Sequence, residues 1–349
     1  MARKHKRRRR SPLGPAEAAV LVLVGFVLGA LAVRLGGLEA AARWLRQWDL
    51  PRVLETLPES LPDPEQLPAL SELLPDATPE PLPEGTLTVV RVLDVGQGDA
   101  VLIQQDDAAC LIDAGTQESS EDLVRQLWDA GVDDLDFLVM THPHADHYGG
   151  MPQVLEDFPV RTLLMPDLEG LGASGAALDE ILRLADEQGT TCITAARGQS
   201  YPLGQGTLEV LLAVLPDDDN LNNASLCLRF TAGNFTFLDT GDAEADTEQR
   251  LLDAYGSDLR ATLFKAGHHG SATSTTQPLL DAVRPQAVAI SCGLNNSYGH
   301  PDAETLDRIA ASGAQVWRTD QEGAITFTWD GTSLQAITAG AGNALDAAA

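Results

Sequence analysis

The sequence predicts an α/β domain in which two sheets carry helices on their outer faces. Three observations lead there. Short strand-like segments joined by tight turns crowd the start of the domain. Helical windows then alternate with short apolar runs, the pattern of a layered α/β fold. The histidines beyond the N-terminal tail fall in three tight clusters, in loops that follow strand-like runs, where such folds place their chemistry.

Residues 86–94, 99–105 and 109–113 alternate or run apolar and read as three strands joined by turns. Residues 120–130 have helical spacing, with Ser119 or Ser120 as N-cap. A buried strand over 136–140 stops at the first histidine cluster. Helices near 150–157 and 176–187 are expected, with short strands around 161–164, 192–194 and 208–215. Residues 226–230 and 235–238 read as a hairpin leading into Thr240-Gly241-Asp242. Helix 247–255, strand 263–266, helix 277–283, strand 287–291 and helix 303–311 complete the core.

Charge divides the 349 residues unevenly. Residues 1–85 balance 11 Lys and Arg against 11 Asp and Glu, whereas residue 86 onward has 12 against 40, so the whole net charge of −28 sits there. A field this negative repels polyanions and argues against tight, extended nucleic-acid binding. The start is basic, with Arg3, Lys4, Lys6 and Arg7 to Arg10 ahead of a 16-residue apolar run, 18–33. That run is slightly short of the ~20 residues of a membrane span, a gap that flanking residues can close. We expect a cytoplasmic tail over 1–15, a transmembrane signal anchor over 16–35 and an exported remainder by the positive-inside rule. A signal peptide cut near Ala32, giving a secreted protein, is the alternative. Residues 49–84 hold nine prolines and nine acidic residues with Arg52 as the one base, so 36–85 reads as an extended linker. The domain is expected over 86–338 and a disordered tail over 339–349. Cys110, Cys192, Cys227 and Cys292 are dispersed with no C-x-x-C, which argues against a thiolate metal site.

The first cluster is Thr141-His142-Pro143-His144-Ala145-Asp146-His147. In an extended loop, side chains two apart project to one side, so His142 and His144 can grip one ion while Asp146 and His147 face a second. Pro143 biases His142 toward extended backbone. Imidazole and carboxylate donors without thiolate suit Zn²⁺, Mn²⁺ or Fe; Zn²⁺ is expected first, with Mn²⁺ as the alternative. Asp242, following a strand and a glycine, can bridge both ions. Further clusters are Gly267-His268-His269-Gly270-Ser271 and Tyr298-Gly299-His300-Pro301.

With Leu93-Asp94-Val95-Gly96-Gln97-Gly98-Asp99, Leu111-Ile112-Asp113-Ala114-Gly115 and Lys265-Ala266-Gly267 in order around these clusters, the chain resembles a metallo-β-lactamase-fold hydrolase over residues 86–329. More narrowly, it resembles the extracytoplasmic metallo-hydrolase domain of the competence DNA-uptake proteins. The resemblance implies an αββα sandwich, a two-metal site and action on DNA strands outside the membrane, hence a phosphodiesterase or nuclease. Two departures stand out. The uptake proteins thread DNA through a polytopic channel, whereas one apolar segment precedes this domain. Secondly, no histidine occurs between His147 and His268, where many superfamily members place a ligand; Leu221-Asn222-Asn223-Ala224-Ser225 stands there. An amide from Asn222, or a water, is therefore expected on the first ion.

Adjacent side chains diverge, so of His268 and His269 one is expected to bind the second ion and the other to point outward. His268 is taken as the ligand and His269 as a catalytic group on the phosphate or leaving oxygen, with the reverse assignment open. Asp146 is expected to serve both metal binding and catalysis. Lys265, the sole lysine after Lys6, reads either as charge stabilisation at the reaction centre or as a surface lysine. Asp113 is expected to orient a ligand histidine; His300 and Asp94 are further candidates at the rim. The mechanism that fits is metal-assisted hydrolysis of a phosphoester, possible substrates including single-stranded DNA. The alternatives are hydrolysis of small phosphoesters, phosphorylcholine-like wall groups, lactones or β-lactams, and a non-enzymatic, metal-stabilised binding domain.

Overall fold

The computed structural model describes residues 87–216 and 220–338. The expected tail, anchor and linker over 1–85 and the end over 339–349 lie outside the described residues. Among the described residues no helix is long and apolar enough to cross a membrane.

Fifteen strands are described, in chain order β1 Thr88–Val92, β2 Val101–Gln105, β3 Ala108–Ile112, β4 Leu135–Val139, β5 Val160–Met165, β6 Thr191–Thr194, β7 Ser200–Leu203, β8 Gly206–Leu212, β9 Cys227–Ala232, β10 Phe235–Asp239, β11 Leu263–Lys265, β12 Ala287–Ile290, β13 Gln315–Arg318, β14 Ile325–Trp329 and β15 Leu334–Thr338. They form an eight-stranded sheet, ordered β15-β14-β1-β2-β3-β4-β5-β6, and a seven-stranded sheet, ordered β13-β12-β11-β10-β9-β8-β7. Each sheet is antiparallel where hairpins build it and parallel where helices cross over, at β3 to β6 and at β10 to β13.

Alternation along the strands sorts the apolar side chains into three layers. Val101 and Ile103 of β2 meet Leu228, Phe230 and Phe237 between the sheets. Leu102 of the same strand faces the other way, with Leu138 and Leu163, onto Leu123, Val154 and Ile181 of the helices Ser120–Asp129, Met151–Asp157 and Ala176–Gln188. On the second sheet Leu238, Phe264 and Val288 receive Leu251, Leu280 and Ile309 from Ala245–Tyr255, Gln277–Val283 and Ala303–Ser312. The result is the expected order of helix, sheet, sheet, helix. Each fully buried phenylalanine contributes about 1.5–3 kcal/mol through its removal from water, and Phe230, Phe235, Phe237 and Phe327 all lie in the layer between the sheets.

The sequence reading did not place β7, β13 or the last hairpin. β14 pairs antiparallel with β1, Thr88 opposite Trp329, and β15 completes the edge. Its signal was present: alternation in Ile325–Trp329, then Asp330-Gly331, a hairpin dipeptide.

Candidate metal centre

Four loops meet at one end of the two sheets. The loop after β4 supplies His142 to His147, and its last residues form a helical turn, Ala145–Tyr148. The turn after β10 supplies Asp242. Gly241 sits there at φ +52, and a Cβ on it would lie 2.9 Å from Ser225 Oγ and 3.0 Å from Thr141 Cβ, so glycine is required for Asp242 to reach inward. Asp242 N donates to Ser225 Oγ at 2.9 Å, which fixes that reach. The loop after β11 supplies His268 and His269, and the segment before β2 supplies Asp99.

Oδ2 of Asp242 is the hub. It lies 3.3 Å from Nε2 of His147 and 3.8 Å from Nε2 of each of His142, His268 and His269. Nε2 of His269 is also 3.3 Å from Oδ2 of Asp146. On the other flank Nε2 of His142 and Nδ1 of His144 are 2.9 Å apart. A tetrahedral ion with bonds of ~2.0–2.1 Å sets its ligand atoms roughly 3.3–3.4 Å apart, which is the scale of these separations. Nε2 of His147, Nε2 of His269 and Oδ1 of Asp242 are buried with no hydrogen-bond partner among the described residues. Such orphaned, converging donors fit divalent cations.

The surrounding groups prepare the ligands. The Asp113 carboxylate accepts from Nδ1 of His147 at 2.7 Å, from the Thr141 hydroxyl at 2.7 Å and from Thr141 N at 2.8 Å. That leaves Nε2 of His147 facing Asp242. Thr141 Oγ1, its proton given to Asp113, accepts from Nδ1 of His142 at 3.1 Å, so Nε2 of His142 is the unprotonated nitrogen, facing His144 and Asp242. Burial, reinforced by the nearby His147, pushes His142 well below the usual imidazole range, toward the neutral form a ligand needs. Burial also works against a charged His147, yet Asp242 and Asp113 outweigh it and raise this imidazole well above its ordinary value. For Asp242 burial is outweighed by His147 and His269, which hold the carboxyl well below the usual range. Carboxylates that draw protons onto buried imidazoles draw a divalent cation by the same field.

Three expectations need correction. His268 and His269 both have left-handed backbone, φ 50 and φ 54, so adjacent side chains do not diverge to opposite sides; both rings face Asp242. His269 is the one buried against Asp146, whereas His268, 22% exposed, turns to Asn222 and Glu244. The structure therefore groups His269, not His268, with His147, Asp242 and Asp99, whose ligand atoms lie within 4.8 Å of one another, and sets Asp146 beside His269. Lys265 is only 1% exposed and ion-paired to Asp99, so it has no access to a substrate; β11 is buried on both faces. Asp94 is exposed and accepts from Gly96 N at 3.2 Å, capping a turn instead of facing the ligands. Asn222 turns its Nδ2 to Glu244 at 3.3 Å and to Nε2 of His268 at 3.5 Å, and Asp113 has the orienting contact described above. His300 remains at the rim, Nδ1 3.4 Å from Asp302 and its ring 5.7 Å from that of His268. Sequence reasoning missed Glu244 and Asp239, whose positions follow from contacts between distant segments. All four cysteines are free.

The family model described as "Metallo-beta-lactamase superfamily" matches residues 93–293, which span every donor named above except His300. The chain belongs to the metallo-beta-lactamase superfamily. Its fold implies divalent metal ions, and the residues present fit them. Within the superfamily, the chain is 30% identical over 259 residues to "ComE operon protein 3" of Bacillus subtilis, covering 69% of this chain and 33% of that protein. It is 32% identical over 249 residues to "Competence protein ComA" of Neisseria gonorrhoeae, covering 71% of this chain and 33% of the relative. The chain thus spans about a third of the length of these curated relatives. Among solved structures, the metallo-beta-lactamase fold protein YhfI from Bacillus subtilis shares 15% identity at a TM-score of 0.49, over 70% of this chain and 99% of that one.

Proposed function

We propose that this superfamily member is a membrane-anchored, extracytoplasmic phosphodiesterase that uses two divalent ions, Zn²⁺ foremost and Mn²⁺ as the alternative. One observation carries the two-ion reading: a single carboxylate oxygen of Asp242 stands within 3.8 Å of four imidazole nitrogens. His142, His144, His268 and Asp242 would hold the first ion, His268 taking the place of the histidine missing before Asp242. Asp146, His147, His269 and Asp242 would hold the second. Bound there, the ions supply a water acidified toward pKa ~7 and positive charge opposite the phosphate. The protein's part is geometric: Asp113 and Thr141 fix which imidazole nitrogens face inward, and the Gly241 turn presents Asp242 to both groups. The Thr273 hydroxyl donates to Glu244 at 3.2 Å and lies 3.3 Å from Nδ1 of His268, which would hold the His268 ring in place.

The likeness to competence proteins supports phosphodiester bonds as substrate. The cleft that opens beside Asp146 favours a small diester over a nucleic-acid strand. Its volume is about 970 Å³, its wall carries Glu118, Glu156 and Glu180, and no Lys or Arg among the described residues lines it. Arg183 pairs with Glu180 at 2.7 Å, so a continuing polyanion would meet Glu118 and Glu156 with one cation already committed to a carboxylate. The test is turnover by the metal-loaded chain on bis-p-nitrophenyl phosphate, single-stranded DNA, a lactone and a cephalosporin. We expect diester hydrolysis that stops on chelation and returns with Zn²⁺ or Mn²⁺, with DNA cleaved more slowly and least at low salt, where screening is weak. Lactone or cephalosporin cleavage with no activity on any phosphodiester would sink the proposal.

A further inference from the structure

Lys265 is the one lysine of the domain, and the mechanism above gives it no contact with substrate. Its side chain shares the inward face of β11 with Leu263, which packs between the sheets, so its ammonium ends in the gap directly below the metal donors. There it pairs with Oδ2 of Asp99, reaches the Gly241 carbonyl at 3.4 Å and lies 3.8 Å from Oδ1 of Asp239, its neighbour in the parallel register.

Each contact leads to a ligand. Asp99 belongs to the first sheet's side, and its backbone N donates to the carbonyl of Asp146 at 3.1 Å. Its carboxylate stands behind two rings, 3.9 Å from Nδ1 of His147 and 3.9 Å from Nδ1 of His269. The Gly241 carbonyl also accepts from His268 N at 3.1 Å, and Gly241 N donates to Asp239 at 2.9 Å. The two halves of the site come from different sheets: His142 to His147 follow β4 in one, Asp242 and His269 follow β10 and β11 in the other. Their spacing depends on whatever spans the sheets beneath them.

We infer that Lys265 is a positioning residue: its ion pair with Asp99 clamps the two sheets and sets the distance between the Asp146–His147 and Asp242–His269 halves of the metal centre. The inference rests on the two-ion reading. Ligand sets tolerate errors of only about 0.5 Å, and loss of a partner behind a metal ligand lowers metal affinity ~10–100-fold.

The experiment is Co²⁺ titration of the full chain, followed by visible spectrum and ion count, with thermal midpoints of the metal-free proteins measured alongside. The variants are Lys265→Met and the double variant Lys265→Met with Asp99→Asn. The double variant leaves neither member of the pair as a lone buried charge, and Asp239, which loses its cation at 3.8 Å, can take up a proton and stay neutral, so it folds even where Lys265→Met does not. We expect the double variant to recover the wild-type thermal midpoint while binding the second Co²⁺ ~10–100-fold more weakly, with an altered d–d spectrum. If it regains wild-type affinity and spectrum together with the midpoint, the pair serves only the fold and the inference is overturned. Wild-type protein that fails to bind two ions would instead refute the two-ion reading on which the clamp depends, and the clamp with it.

Discussion

Replacing Asp113 by asparagine should disable the second metal position through a tautomer change. The Asp113 carboxylate accepts on both oxygens: Thr141 N donates to Oδ1 at 2.8 Å, and Nδ1 of His147 and the Thr141 hydroxyl approach Oδ2 at 2.7 Å each. An asparagine keeps one acceptor oxygen. The backbone N–H of Thr141 cannot lose its proton, so the amide oxygen must face it, and the amide NH₂ then faces Nδ1 of His147. That ring answers by carrying its proton on Nε2, the nitrogen that should bind metal. The expected loss is ~10–100-fold in second-ion affinity, about 1.4–2.7 kcal/mol. A further ~1–3 kcal/mol of stability goes with the charged hydrogen bonds, because every group here is buried. Competition of Zn²⁺ against a chromophoric chelator gives the first number and thermal unfolding of the metal-free protein the second. An Asp113→Asn variant that binds both ions with wild-type affinity and turns over normally would refute the tautomer argument.

Two other predictions follow from the same geometry. His269→Ala should lose the second ion and the activity together, whereas His268→Ala should weaken the first ion and leave the second; ion counts showing the opposite split would reverse the assignment. In the metal-free chain, burial, reinforced by Asp99 and opposed by Lys265, raises the Asp239 carboxyl to about 6. A folded value above the ordinary ~3.9 means that this group's stabilisation is full below about pH 4 and lost as pH rises through about 6, some 3 kcal/mol in all. Relative to Asp239→Asn, the wild-type thermal midpoint should therefore fall between pH 4 and 6.5; parallel curves would show that Asp239 does not titrate in that window.

What the sequence disclosed follows from how local each feature is. The His142–His147 run was legible because its donors share one loop, and Asp242 because a strand and a glycine precede it. The layers were legible from alternation, as in β2, where Val101 and Ile103 face one core and Leu102 the other. The roles of His268 and His269 were not, since two successive left-handed residues undo the rule that adjacent side chains diverge. Nor was Lys265: a charged residue in a three-residue strand gives no sign that both faces are covered, or that Asp99 waits 166 positions away. The final hairpin carried its Asp330-Gly331 signal but stood beyond the alternating units on which the reading relied.

The central claim is that Asp242 is shared by two ions, and counting metal tests it most directly. Elemental analysis of the purified, Zn²⁺-equilibrated chain should give two ions per molecule, and Asp242→Ala should lose most of both, because one carboxylate oxygen faces four of the five ligand imidazoles, drawn from both groups. A wild-type chain saturating at one ion, or an Asp242→Ala variant that keeps two, would contradict the account.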